Sequence, residues 1–289
     1  MPIEEFEEIK KLAITAMFAD DDLMDILVLK GGNALDIIYK IAPRSSIDLD
    51  FSITSDFTKD IESKLEESLK TIFSENEYQV FDYSFNPKPN IPVMIPAFWG
   101  GYEITFKVIQ KSHYEKLKGN IEALRRNANI VGPKNLKNFR IDISKFEYCL
   151  TKQSTDFEGY TIYVYSPEMI IFEKIRAICQ QMPEYMHIIG KSHGDARARD
   201  FFDIYTVIEH FKIDITSTKN LELLKAIFDA KNVPLNLLNK ISEYREFHRP
   251  DFYAVQSTVK PHIKLEEFDF YFDYVVDKSQ KLLKSLGIE

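Results

Sequence analysis

The chain of 289 residues is 45% hydrophobic and 13% aromatic with a net charge of −8, enough apolar material for one large domain or two modest ones. No apolar run approaches the roughly 20 residues of a membrane helix, and the acidic start MPIEEFEEIK lacks the basic head and apolar centre of a signal peptide, so the cytoplasm is expected. The negative balance argues against indiscriminate DNA binding, which needs lysine and arginine on phosphates, and no sequence-specific DNA binding is expected.

Residues 3 to about 19 read as an amphipathic helix, with Ile3, Phe6, Ile9, Leu12, Ala13 and Ala16 at helical intervals. Ile26 to Leu29 is an apolar run bounded by glycine, which suits a strand buried on both faces. Gly31 and Gly32 follow, and then Asn33 to Tyr39 at helical spacing, with Asn33 as cap or ligand contact. Glycines at such a strand-to-helix turn let a ligand approach the backbone, and the free N–H groups there suit a triphosphate.

From Ile47 to Ser52 the pattern alternates, with Ile47, Leu49 and Phe51 on one side and Asp48, Asp50 and Ser52 on the other. Two carboxylates side by side repel unless a cation sits between them, and hard oxygen ligands suit magnesium with its partner phosphates. A solvated strand edge is the plain alternative for an isolated D-x-D, and the upstream glycine turn weighs against it.

Asp56 to Phe73 reads as a helix capped by Ser55 or Asp56, and Tyr78 to Phe85 as a strand. The proline-rich piece from Asn86 to Pro96 must be extended or looped, since proline cannot enter a central ladder. Tyr102 to Val108 alternates as another strand. Lys107, Lys111, Lys116, Lys118, Arg125, Arg126, Lys134, Lys137 and Arg140 then outnumber Glu115 and Glu122, giving either a surface for RNA or nucleotide phosphates or a plain solvated face. Phe139 to Ser144 is a short strand with Asp142 opposite Ile141 and Ile143, and YTIYVY at 160–165 is a last apolar stretch.

The pattern turns helical at Ser166-Pro167-Glu168, a helix start with serine as cap. That helix runs to Gln181, a mobile connection spans Gln180 to Asp195, and a second helix spans Asp195 to Phe211. In it Arg197, Asp200 and Asp203 share a face, while Arg199 and Asp203 are spaced as an ordinary helical pair. Gly190-Lys191-Ser192 is no P-loop, because position 185 is Tyr185 and no strand precedes it. Short helices at 221–230, 234–247 and 266–286 complete the chain without evident chemistry. Cys149 and Cys179 suit buried reduced thiols, and the six histidines lack metal-ligand spacing.

The ordered set G-G-N-A-L, R-x-S-x-D-L-D (Arg44, Ser46, Asp48, Leu49, Asp50), a strand aspartate, E-K-I-R-A and R-x-R-D-x-x-D (Arg197, Arg199, Asp200, Asp203) resembles the AbiEii/MenT type of nucleotidyltransferase toxin. These toxins serve bacterial toxin–antitoxin and phage-defence (abortive infection) systems. The resemblance implies that Gly31, Gly32 and Ser46 hold nucleotide phosphates, with Asn33, Arg44, Lys174 and Arg197 also counted as nucleotide-binding. Asn33 stands where serine or threonine is usual, and Arg199 where the family has lysine. Asp48 and Asp50 would bind two magnesium ions, with Asp142 as third carboxylate and Glu103 as its rival. Lys174 would meet the phosphates, and Asp200 would orient it or the acceptor.

The expected fold is α+β: a nucleotidyltransferase-type mixed sheet with flanking helices over 1–165, followed by a mainly helical lobe over 166–289 that supplies Lys174 and Asp200. The expected activity moves a nucleoside monophosphate from an NTP to an acceptor and releases pyrophosphate. The resemblance implies a tRNA 3′ end as acceptor and a cognate antitoxin as partner. Transfer to a protein hydroxyl or a small molecule such as an antibiotic is the alternative within enzymes, and NTP binding without turnover is the alternative outside them.

Overall fold

The computed structural model describes residues 3–41, 44, 46, 48–89, 96–131, 135–260 and 263–288. Helix α1 (Ile3–Phe18) opens the chain and inserts Ile9, Ala13, Ile14 and Met17 into the core. Helix α2 (Asp21–Ile26) begins at Asp20, whose carboxylate accepts from the N–H groups of Asp22 and Leu23, an N-cap that satisfies orphan donors of the first turn. Ile26 therefore ends a helix, and the strand expected from it is β1 (Val28–Lys30), shorter and two residues later. The glycine pair opens a helical turn, α3 (Gly31–Asn33), which widens into a π turn over Ala34–Ile38. Strand β2 (Leu49–Ser52) follows with Asp48 immediately before it, and Ile47 lies outside the described residues.

Helix α4 (Ile61–Glu75) starts five residues later than Asp56 suggests. Asp56 is not its cap: its carboxylate accepts from the Phe57 N–H, Lys145 and the Tyr102 hydroxyl, holding the preceding loop to the sheet. Strand β3 (Tyr78–Lys88) continues through Pro87, which is tolerable because β3 is an edge strand with no ladder to donate to on its outer side. The rest of the proline-rich piece, 90–95, lies outside the described residues. Strand β4 (Gly101–Gln110), helices α5 (Lys111–Leu117) and α6 (Ile121–Asn127), and strand β5 (Phe139–Ser144) come next. The hairpin β6 (Gln153–Phe157) and β7 (Tyr160–Val164) completes the sheet, and β6 had no apolar pattern by which to expect it.

The seven strands lie in the order β3-β4-β5-β2-β1-β7-β6. The sheet is mixed: β2 is antiparallel to β1 and parallel to β5, and β7 is parallel to β1. This topology brings the chemistry-bearing strands together, because Asp50 is in register with Lys30 on one side and Asp142 on the other, and Glu103 is opposite Asp142.

Helix α7 (Pro167–Cys179) begins at Ser166, whose hydroxyl accepts from the Met169 N–H at 3.3 Å. The segment after it is helix α8 (Pro183–Ile188), not a mobile connection; Tyr185 is fully buried and its hydroxyl donates to the Lys231 carbonyl at 2.8 Å. Helices α9 (Ala198–Phe211) and α10 (Thr218–Asp229), a 3-10 stretch (Leu235–Tyr244), and helices α11 (Arg245–His248), α12 (Phe252–Gln256) and α13 (Phe268–Leu286) finish the chain. One continuous apolar core runs from Ile9 through the sheet residues Leu29, Phe51 and Ile141 to Phe172, Phe201 and Leu283. The sheet and the helical part are thus cemented by hydrophobic burial, and a cleft opens where they meet.

Candidate active site

The cleft has a volume of about 760 Å³, the size of a nucleotide-type pocket. Gly31, Gly32, Arg44, Ser46, Asp48, Asp50, Asp142, Lys174, Arg197 and Asp200 all line it, so the structure gathers every expected site residue except Asn33 and Glu103. Gly31 has φ +72°, a conformation costly for a side chain, and a Cβ there would stand 2.7 Å from Asp50 Oδ2. A Cβ on Gly32 would stand 2.9 Å from the Ser46 Cβ. Both glycines are required by close approach: they let the turn lie against the carboxylate and the hydroxyl.

Asn33 neither caps a helix nor faces the cleft. It is fully buried; its side-chain amide donates to the Asp48 carbonyl at 2.6 Å and its oxygen accepts from Lys10 at 3.4 Å. It therefore ties the glycine turn to the strand that carries the aspartates. Lys10, itself fully buried and paired with Glu7 at 2.8 Å, supports that tie from α1.

Asp48 is exposed at the start of β2, and Asp50 is largely buried between Lys30 and Asp142. Partial desolvation inside the cleft raises the pKa even of Asp48, whose side chain still reaches solvent; for Asp50 it rises to about 6, with Asp142, Glu173 and Asp48 adding to desolvation and Lys30 opposing. A buried carboxylate crowded by others is short of positive charge. Lys88 from the edge strand supplies some of it, bridging Asp142 and Glu103, the latter at 2.9 Å. Of the two rivals, Asp142 lines the cleft beside Asp50, whereas Glu103 is drawn away between Lys88 and Arg140. Among the described residues no three carboxylate, histidine or cysteine side chains are already arranged to enclose a metal ion. The donor chemistry nonetheless fits a hard divalent cation: Asp48, Asp50 and Asp142 offer oxygen ligands in one cleft.

Lys174 lies at the centre of a buried chain of alternating charge. Its ammonium pairs with Asp200 and Asp203, each at 2.8 Å; Arg197 pairs with Asp200; Arg44 binds Asp203 through Nε at 2.8 Å and Nη2 at 2.6 Å. Asp200 and Asp203 share a face of α9 because they are three residues apart, and α7 lays Lys174 between them. Asp203 is thus partnered by Arg44 and Lys174, not by Arg199, which is exposed and lines the cleft. Both carboxylates are held below the usual range by these cations against the opposing effect of burial. Three cations against two anions leave this chain of groups one positive charge in excess.

A second buried cluster was not foreseen. Lys30, Arg176 and Lys231 surround Glu147 and Glu173, with Arg176 on Glu147 at 2.7 Å, Lys30 on Glu173 at 3.3 Å and Lys231 on Glu147 at 3.5 Å. Glu173 and Arg176 are a helical i,i+3 pair that the sequence could have offered, but Glu147 sits in a loop without signal. The C-terminal helices also take part: Asp251 accepts from the Ala198 N–H at 3.1 Å and His248 from the Arg197 N–H at 3.1 Å, fixing the start of α9. The basic stretch from Lys107 to Lys137 lies away from the cleft, with Lys107 and Arg125 on Asp82 and Lys118 on Glu115. Lys134 lies outside the described residues.

A glycine turn pressed against carboxylates from neighbouring strands of a mixed sheet, closed over by a helical part that carries lysine and arginine, defines a nucleotidyltransferase. The chain belongs to a particular family of them: the model for the nucleotidyl transferase AbiEii toxin of type IV toxin–antitoxin systems matches residues 13–274. The chain is accordingly a nucleotidyltransferase of a toxin–antitoxin system, with an NTP as substrate and an antitoxin as partner. Among solved structures, a protein from H. pylori described as a nucleotidyltransferase shares 16% identity at a TM-score of 0.50, covering 98% of this chain and 96% of its own. JHP933 from Helicobacter pylori shares 18% identity at a TM-score of 0.47, with the same coverage. The first of these agrees in fold. No curated protein sequence matches the chain. Among the described residues no helix is long and apolar enough to cross a membrane.

Proposed function

We propose that the protein transfers a nucleoside monophosphate from an NTP to the 3′ end of a tRNA in the presence of magnesium, and so blocks translation. The observation that carries this reading is the convergence of the Gly31-Gly32 turn, Asp48, Asp50, Asp142 and the Lys174 charge chain on one cleft. Eight basic and seven acidic side chains line that cleft in a chain whose net charge is −8, so its balance favours phosphates far more than the surface as a whole.

Gly31, Gly32 and Ser46 would cradle the phosphates, with backbone N–H groups aimed at the anion. Arg44, Lys174 and Arg197 would stand beside them, their unbalanced positive charge offsetting the negative charge that gathers on the departing pyrophosphate. Asp48, Asp50 and Asp142 would hold magnesium, which when bound lowers the pKa of an acceptor hydroxyl and neutralises phosphate charge. The acceptor hydroxyl would lose its proton to solvent, and its oxygen would bond to the α-phosphorus as the bond to pyrophosphate breaks. Asp200 acts by fixing Lys174 and Arg197 in place, because its carboxylate is buried between them.

The test incubates the purified protein with magnesium, each α-labelled NTP in turn and total tRNA, beside the Asp48→Ala variant. Label on tRNA that vanishes in the variant is expected. Label on a protein band or a small molecule, with none on RNA, would sink the tRNA reading, and no transfer to any acceptor would favour binding without turnover.

A further inference from the structure

The floor of the cleft accounts for phosphates and reacting atoms, but one wall carries an aromatic side chain whose partial packing against the core leaves part of it facing the cleft. Trp99, the single tryptophan of the chain, lines the cleft half-buried in the turn that leads into β4. That turn is firmly built. The Trp99 N–H donates to the Pro96 carbonyl at 3.0 Å, the Lys145 N–H to the Gly100 carbonyl at 3.1 Å, and Lys231 Nζ to the Phe98 carbonyl at 3.3 Å. Gly101 lies so close to β5 that a Cβ there would be 2.1 Å from the Ile143 carbonyl oxygen. Tyr102, the other aromatic residue on the cleft, is stacked on Phe57 and Phe85 with ring centroids 4.9 and 4.7 Å away, and its hydroxyl is bound to Asp56. Trp99 is the aromatic surface that remains.

Over its ring, 4.3 Å from the centroid, stands the ammonium of Lys191. Lys191 belongs to the Gly190-Lys191-Ser192 tripeptide that is not a P-loop; its own N–H is anchored on the Met186 carbonyl at 2.9 Å while its side chain is exposed. An ammonium resting on an indole face is a modest attraction at an exposed site, which a flat aromatic ligand can replace. An indole of this kind in a phosphate-binding cleft, with a cation able to move from the ring to an anionic group, has the chemistry of a base-stacking platform.

We propose that Trp99 and Lys191 form a nucleobase-binding subsite, in which an unpaired base stacks on the indole and Lys191 moves aside to a phosphate or base carbonyl. The proposal rests on the nucleotidyl-transfer reading and adds to it the place where a base is held. The base arrives either on the NTP or on the terminal nucleotide of the RNA acceptor; the chemistry is shared, and the experiment separates the two sources.

Because the protein has a single tryptophan, its tryptophan fluorescence, excited at the red edge where tyrosine does not absorb, reports this site alone. The full chain with magnesium is titrated with a non-hydrolysable analogue of each NTP, with a short single-stranded RNA, and with inorganic tripolyphosphate. Quenching by a base-bearing ligand but not by tripolyphosphate is expected, and the ligand that quenches names the source of the base. In equilibrium dialysis, Trp99→Ala should weaken that same ligand roughly ten-fold or more, Trp99→Phe should restore most of the loss, and Lys191→Ala should weaken it less. Tripolyphosphate affinity should be unchanged in all three. Equal quenching by tripolyphosphate overturns the subsite. So does an absence of quenching while dialysis shows nucleotide bound, an outcome that leaves nucleotidyl transfer standing. No binding of any NTP in dialysis would defeat both.

Discussion

Asp203 offers a sharp separation of structure from chemistry. It is only 2% exposed, accepts both Arg44 hydrogen bonds and the Lys174 ion pair, and does not itself line the cleft. Asp203→Ala leaves Arg44, 8% exposed, without its carboxylate and raises the excess charge of the buried chain from one to two. Removing one partner of a buried ion pair costs about 3–5 kcal/mol, because the other charge stays desolvated. Lys174 keeps Asp200 at 2.8 Å, and Arg44 borders the cleft where water can reach it, so the low end, about 3 kcal/mol, is expected. Denaturant unfolding measures it, with Arg44→Met and the double variant Arg44→Met/Asp203→Ala completing a cycle. The double variant should be clearly more stable than Asp203→Ala, since neither a lone cation nor a lone anion remains. If Asp203→Ala lies within about 1 kcal/mol of the parent, or the double variant is no more stable than either single change, the buried-pair argument is wrong.

Three further outcomes follow from the same geometry. Gly31→Ala forces a Cβ into a left-handed backbone and against Asp50 at 2.7 Å; it should cost roughly 1–2 kcal/mol in thermal or chemical unfolding and abolish labelled-nucleotide transfer, and unchanged transfer would refute the close-approach argument. Glu147 is held from its ordinary value near 4.5 down to about 2 by Arg176, Lys30 and Lys231, which outweigh its burial. A carboxylate with a lowered folded pKa stabilises above its unfolded pKa and loses that contribution as pH falls toward the folded one. Between pH about 5 and about 3 the parent should therefore lose roughly 2 kcal/mol that Glu147→Gln does not; parallel curves would show that the cluster is not titrating. Cys149 and Cys179 are buried, and burial raises both thiols, Cys149 to about 11, so neither should react with a thiol reagent at neutral pH until the protein is unfolded. Rapid labelling of the native protein would contradict their burial.

What could be read from the linear chain was local. The glycine pair, the D-x-D, the serine-proline helix start at 166 and the i,i+3 face of Arg197, Asp200 and Asp203 each express a backbone rule or a short spacing; the structure brings Gly31, Gly32, Asp48, Asp50, Arg197 and Asp200 to one cleft, with Asp203 buried behind it and Ser166 capping the helix that carries Lys174. Three of the local readings failed because a nonlocal contact prevailed: Asn33 turned inward to the Asp48 carbonyl, Asp56 held the sheet instead of a helix, and Asp203 chose Arg44 and Lys174 over its helical neighbour Arg199. Burial decided the cases of Asn33 and Asp203, since a desolvated amide or charge must take the partner that excludes water best, whatever lies three or four residues away; exposed Asp56 was instead claimed by Lys145 and Tyr102, which the sheet sets beside it.

The tertiary structure alone decided the rest. Asp142 rather than Glu103 borders the cleft beside Asp50 because β5 runs parallel to β2 in register, a pairing that no periodicity encodes. The cluster of Lys30, Glu147, Glu173, Arg176 and Lys231 draws on a strand, a loop, a helix and a turn up to 201 residues apart. Trp99 and Lys191, ordinary in the sequence, meet only because the turn after α8 comes to lie beside the turn that leads into β4. Sequence determines the pieces through propensity and spacing, while long-range packing determines which charges and faces end in one low-dielectric cleft, and there the chemistry resides.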